Sequence, residues 1–198
     1  MSKVIAGITT SVDGYVAGPN DGPDCGLGEG GEELHYWVFG GPWTYDEEPT
    51  GDMQAEDKAW MDEAMGNLGA IIAGRYTYEA AGHWGETNPW DRPFFIVTHH
   101  TEDEPDIEDI YFVDSVEEAV KRADEVAGDK DVHIMGGADI IRQALAADLV
   151  DELTVIVAPV VLGGGKQLFD GFDKRVGLRH KGVRQSQYAT FIDYVVER

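Results

Sequence analysis

Two short runs place glycine, arginine and hydroxyl side chains where an apolar strand pattern gives way to a helical one. Residues 69–79, G-A-I-I-A-G-R-Y-T-Y-E, put Gly74, Arg75, Tyr76 and Thr77 at such a junction, and residues 131–142, D-V-H-I-M-G-G-A-D-I-I-R, put Gly136, Gly137, Ala138 and Asp139 at another. Glycines there remove the Cβ atoms that would keep a ligand from the backbone. A helix opening at the turn presents unpaired N–H groups, which favour an anion, usually a phosphate. Either turn alone reads as a plain strand-to-helix connection; two in one sheet could hold the two ends of one long anionic ligand. Neither has the G-x-G-x-x-G spacing of a Rossmann turn. Gly163-Gly164-Gly165-Lys166 is not a P-loop either, because Gln167 follows the lysine and Val160 stands where the first glycine belongs.

A third candidate is Asp57. Residues 52–68 read as a helix with Met61, Ala64, Met65 and Leu68 on its apolar stripe, and Asp57 falls on that stripe one turn before Met61. An inward carboxylate is unusual and could donate a proton or anchor a substrate; the plainer reading is a first-turn acid favoured by the helix N-terminus. If the stripe takes Asp57 out of water, its pKa rises. No metal site is expected. Thr98, His99 and His100 end the strand F-F-I-V-T, so the two histidines point to opposite faces, and the other histidines lack the spacing of a zinc helix.

The elements that must position these groups are legible as alternating patterns. Residues 3–12 form a first strand ending at Asp13-Gly14, and Tyr15 to Ala17 resume it briefly. Ser115 and Glu118 make a capping box for a helix that buries Val116, Ala119, Val120, Ala123 and Val126 and stops at Gly128. Residues 152–158 are apolar on both faces and suit a central strand, while 178–197 form a hairpin around Gln185-Ser186-Gln187. Strand and helix alternate as a parallel sheet requires, and the hairpin makes that sheet mixed. Residues 18–51 are a long loop insertion rich in Gly, Pro and acids. Its embedded Trp37, Phe39 and Trp43 serve as a lid over a site or as a dimer contact.

The chain has 198 residues, of which 38 are Asp or Glu and 15 are Lys or Arg, for a formal net charge of -23. That charge repels nucleic acid and anionic membranes. It suits either a salt-loaded cytoplasm, where screening relieves the self-repulsion, or an ordinary acidic protein. One cysteine, Cys25, permits no internal disulfide, and no run is long and apolar enough to span a membrane, so a cytoplasmic location is expected.

Four stretches taken together resemble the dihydrofolate reductase superfamily, and in particular its branch containing the C-terminal reductase domain of riboflavin biosynthesis. They are S-V-D-G-Y-V-A-G, A-I-I-A-G-R-Y-T-Y-E, H-I-M-G-G-A-D-I-I and L-V-D-E-L-T-V-I-V-A-P-V-V-L-G-G-G-K-Q-L-F. The resemblance implies one three-layer α/β/α domain over 1–198 with a mixed sheet and the antiparallel C-terminal hairpin. It also implies NADPH as hydride donor, a small pterin- or pyrimidine-like substrate such as dihydrofolate or a ribosylated aminopyrimidine, and a homodimer. Gly74, Arg75, Tyr76 and Thr77 match the first phosphate-binding turn, and Gly136, Gly137, Ala138 and Asp139 match the second. Thr98 and His99 match the strand end near the adenosine 2′-phosphate. Asp57-Lys-Ala-Trp60 is similar to the segment carrying the acid of dihydrofolate reductases. The alternative is a non-catalytic nucleotide-binding sensor or assembly module on the same fold.

Overall fold

A computed structural model gives the fold and describes residues 2–47, 49 and 51–198. Glu48 and Thr50 of the expected 18–51 loop lie outside the described residues. In chain order the elements are β1 (Val4–Thr10), β2 (Tyr15–Ala17), α1 (Tyr36–Phe39), α2 (Ala55–Gly66), β3 (Leu68–Gly74), α3 (Arg75–Ala80), β4 (Phe94–Val97) and β5 (Ile110–Val113). There follow α4 (Val116–Ala127), β6 (Asp131–Ile134), α5 (Ala138–Ala146), β7 (Glu152–Val157), β8 (Lys166–Gln167), β9 (Gly177–Gln185) and β10 (Thr190–Glu197).

Eight strands form one mixed sheet in the order β5-β4-β3-β6-β1-β7-β10-β9, in which the first six are parallel and the C-terminal hairpin is antiparallel. One face is covered by α4 and α5, whose Val116, Ala119, Ala123, Ile141 and Ala144 pack on Ala6, Ala70, Ile72, Val132 and Ile134. The other face is covered in two separate patches. Tyr78 of α3 packs near β4 and β5 with Phe94, Ile96 and Phe112. Trp37 of α1, with Trp60 and Met61 of α2, packs near β7 and β10 on Ile156 and Phe191. Between those patches the sheet is not closed over, and that opening becomes the site.

The α/β class, the mixed sheet and the hairpin expected from the pattern are present. Four local expectations need correction. The helix expected over 52–68 runs only from Ala55 to Gly66, and Leu68 is instead the buried first residue of β3, because Asn67 ends the helix outside αR geometry. Val126 is 53% exposed while Ala127 is buried, since the inward stripe of a 3.6-residue helix drifts one position by its last turn. The Ser115 hydroxyl does accept from the Glu118 N–H at 3.3 Å, but the reciprocal half of the box is missing because the Glu118 carboxylate lies toward Lys121. The 18–51 stretch is a packed strap, with a 3₁₀ turn over Gly31–His35 leading into α1 and with Leu34 and Trp37 buried. No helix among the described residues is long and apolar enough to cross a membrane.

Candidate active site

The chain leaves β3 toward one face of the sheet, through α3, and leaves the neighbouring β6 toward the other, through α5. Such a switch opens a crevice beyond the carboxyl ends of the strands, where open α/β sheets bind ligands. The two turns flanking it are locked together: the Gly74 N–H donates to the Gly136 carbonyl at 2.9 Å. Glycine is required at each corner for its own reason. A Cβ on Gly74 would stand 2.9 Å from Ile140 Cγ1, Gly136 sits at φ +134°, and a Cβ on Gly137 would crowd Thr77 Oγ1 at 3.2 Å. The Gly136–Gly137 peptide is cis.

Arg75 follows directly. Its Nε donates to Glu79 at 2.6 Å, Nη2 stands 3.8 Å from an Asp103 oxygen, and the guanidinium lies over the Phe112 ring at 5.0 Å. Nη1 is buried and has no partner among the described residues. A buried charged donor left in that state costs free energy that an anionic ligand would recover. The orphaned nitrogen and the Cβ-free cradle are together a good fit to the pyrophosphate of a dinucleotide.

All ten residues read from the sequence as cofactor-contacting line a single cavity of about 1770 Å³: Gly74, Arg75, Tyr76, Thr77, Thr98, His99, Gly136, Gly137, Ala138 and Asp139. Its volume exceeds the usual span of about 300 to 1,000 Å³ for a drug-sized pocket, leaving room for a dinucleotide and a second small ring. The cavity runs from Thr98, His99 and Asp114 at the ends of β4 and β5 to Thr9, Trp37, Phe39 and Trp43 at the far side. The far wall is an aromatic ladder, Phe39 to Trp43 at 4.7 Å and Trp43 to Tyr45 at 4.9 Å. Trp37 is fixed behind it by Phe191 at 5.3 Å and by an Nε1–H bond to Thr9 Oγ1 at 3.1 Å. His35 also lines this end, and burial pushes its imidazole down to about 4, so it is neutral near neutrality.

Several lining residues were not legible in advance. Lys166 pairs with Asp21, and Tyr76 hydrogen-bonds the same carboxylate while its ring lies 3.5 Å from the Lys166 ammonium. This contact closes the strap onto α3 and β8. Burial alone would lower the Lys166 pKa, but Asp21 and Tyr76 outweigh it and hold the ammonium above its ordinary value. The one available signal was a lone lysine after three glycines. Asp13, in the S-V-D-G-Y run, accepts from the Leu162 and Gly163 N–H groups at 3.1 and 2.8 Å and so fixes the loop that presents Lys166.

Asp57 is brought to the same region but not onto the cavity wall. Its side chain is 0% exposed, and neither carboxylate oxygen has a hydrogen-bond partner among the described residues. Burial raises its pKa; the Ser186 hydroxyl partly offsets this without closing a hydrogen bond of ordinary geometry, and the Glu56 charge adds to the rise. Trp60 and Met61, on the same helix, line the cavity, whereas Asp57 does not.

A switch-point crevice with a two-turn cradle on a mixed sheet defines an α/β fold of the dihydrofolate reductase type. The chain belongs to the RibD C-terminal domain family, whose profile matches residues 2–190. It is similar to YwjB, an uncharacterised protein of Bacillus subtilis, with 28% identity over 148 residues, covering 69% of this chain and 84% of that protein. Two solved structures share the fold across nearly the whole chain. One is a provisionally assigned riboflavin biosynthesis protein from Shewanella sp. PV-4, with TM-score 0.73 and 20% identity, covering 99% of each chain. The other is dihydrofolate reductase from Enterococcus faecalis complexed with NADP(H), with TM-score 0.57 and 16% identity, covering 99% of this chain and 97% of that one.

Proposed function

We propose that the protein is a nicotinamide-dependent reductase acting on a small, flat, electron-poor heterocycle of the pterin or pyrimidine kind. The observation that carries this reading is the single cavity joining the glycine cradle and the orphaned Arg75 nitrogen to an aromatic enclosure. Bound in the cradle, NADPH or NADH would supply the hydride. Gly74, Gly136 and Gly137 admit the pyrophosphate to the backbone, Arg75 pairs with it, and Tyr76, Thr77, Ala138 and Asp139 border it. Phe39, Trp43 and Tyr45 offer rings against which a flat substrate stacks, and the strap held by Asp21 and Lys166 keeps water out.

Asp57 is assigned the proton. Its carboxyl is raised by burial, and both its oxygens are free to accept from, or when protonated to donate to, a substrate ring nitrogen once the strap and Trp60 admit one. The rival reading, a nucleotide sensor without turnover, draws on the enclosure of Asp57 away from the cavity wall. Following the loss of reduced-nicotinamide absorbance with dihydrofolate, a ribosylated aminopyrimidine and a panel of quinones separates the two. Oxidation of the cofactor driven by one of these supports the reductase, whereas cofactor binding with no oxidation across the panel supports the sensor.

A further inference from the structure

The cavity proposed for an anionic cofactor is poor in free positive charge. Among the described residues six lysines and arginines line it, and each is already paired with a carboxylate of the chain itself. The pairs that border the cradle are Arg75 with Glu79, Arg142 with Asp139 and Lys166 with Asp21. The polyanion entering this site therefore meets compensated cations.

The two ends of the cleft differ in a way that orients the cofactor. Hydride transfer needs the water-poor end, which is the aromatic wall of Trp37, Phe39 and Trp43 beside β1 and β7. The adenosine half then falls at the open end, beyond β4 and β5, where Thr98, His99, His100 and Asp114 line the cavity. Arg75 is the lysine or arginine that serves this end. Glu79 takes its Nε and Asp103 lies against its Nη2, which leaves the buried Nη1 as the nitrogen without a partner. One open nitrogen suits one phosphate contact, and the pyrophosphate at the glycine cradle takes it. A second phosphate, on the adenosine ribose, would find Asp114 exposed at the end of β5 and the His100 ring 3.3 Å from the Glu102 carboxylate, while Asp103, beside Arg75, lines a separate small cavity.

Resting on the nicotinamide reading above, we propose that this end of the cleft selects the cofactor without a 2′-phosphate, NADH over NADPH, with Asp114 as the discriminating residue. A carboxylate accepts hydrogen bonds from ribose hydroxyls, whereas a phosphate monoester brings nearly two negative charges against it. The acidic stretch Glu102, Asp103, Glu104 and Asp106, outside the cavity lining, adds longer-range repulsion at low salt.

The test is direct binding. NADH and NADPH are titrated separately into the full chain by calorimetry, at the lowest salt at which circular dichroism shows the native fold. NADH is expected to bind tighter by about tenfold or more, the ratio expected from one or two uncompensated like-charge contacts near a surface. The variants Asp114→Asn and Asp114→Lys, each checked for fold, should narrow the ratio by about fivefold on the same grounds. NADPH binding as tightly as NADH overturns the inference, and so does a ratio unchanged in both variants. Binding of neither nucleotide overturns the nicotinamide reading and this inference with it, so the two failures are distinguishable.

Discussion

The backbone N–H of Gly74 donates to the carbonyl oxygen of Gly136 at 2.9 Å, so the turn after β3 and the turn after β6 form one cradle rather than two. Arg75, one residue on, is oriented by that bond together with its ion pair to Glu79 and its seat over Phe112. Replacing Arg75 by alanine is expected to weaken binding of a reduced nicotinamide by about 1.5 to 3 kcal/mol, the range for a charged hydrogen bond to phosphate. Equal affinity in variant and parent, measured by calorimetry, would remove Arg75 from the site.

Asp57 links stability to pH. Its folded pKa is raised by burial, so the folded state holds the proton more tightly than the unfolded state does. Stability from this group is therefore fully present below the ordinary carboxylate pKa and is lost as pH rises through the raised one. The Asp57→Asn variant escapes that loss. Denaturant melts should find Asn more stable than Asp at neutral pH, with the gap closing as pH falls through the carboxylate range, while turnover drops by about 10² to 10⁴ as for a lost general acid. A variant that loses stability at neutral pH and keeps parental turnover would make Asp57 a structural residue.

His35 titrates in the opposite sense. Burial holds its pKa near 4 in the folded protein against 6.5 when exposed, so its neutral form contributes stability above 6.5 that is lost as pH falls toward 4. The loss is on the order of 3 kcal/mol. Parent and His35→Gln should then differ in the slope of stability against pH between those two values, and parallel slopes would contradict the burial of His35 within the strap.

Much of this site could be read before the fold was known, because its chemistry is local. Gly136-Gly137 before Ile140 and Ile141, or Gly74-Arg75 after Ile71-Ile72, signal a turn through residue type alone. The contacts that make the cavity a closed space are not local: Lys166 to Asp21 and Tyr76, Asp13 to Gly163, and Trp37 to Thr9 and Phe191 each join distant segments. Their partners carry no periodicity, so the strap reads as a structureless loop even though its tryptophan is buried. Asp57 was legible as an inward acid but not as an enclosed one, since a stripe position fixes the direction of a side chain and not what covers it.

The charge of -23 makes a further demand. At molar salt the screening length falls to about 3 Å, which relieves repulsion within the chain and between the acidic cleft and an anionic cofactor. The melting temperature and cofactor affinity should both rise from low to molar potassium chloride. A melting temperature independent of salt would point to an ordinary acidic protein.

The central claim is that the paired glycine turns hold a nicotinamide dinucleotide, and Gly137 is the sharpest probe of it. A Cβ there already meets Thr77 Oγ1 at 3.2 Å, and the branches of a valine would project into the cradle. Calorimetric titration of the parent with NADH and with NADPH should give saturable one-to-one binding with at least one of them. Gly137→Val, shown by circular dichroism to be folded, should bind neither. Absence of binding to the parent, or undiminished binding to the folded Gly137→Val variant, would contradict the account.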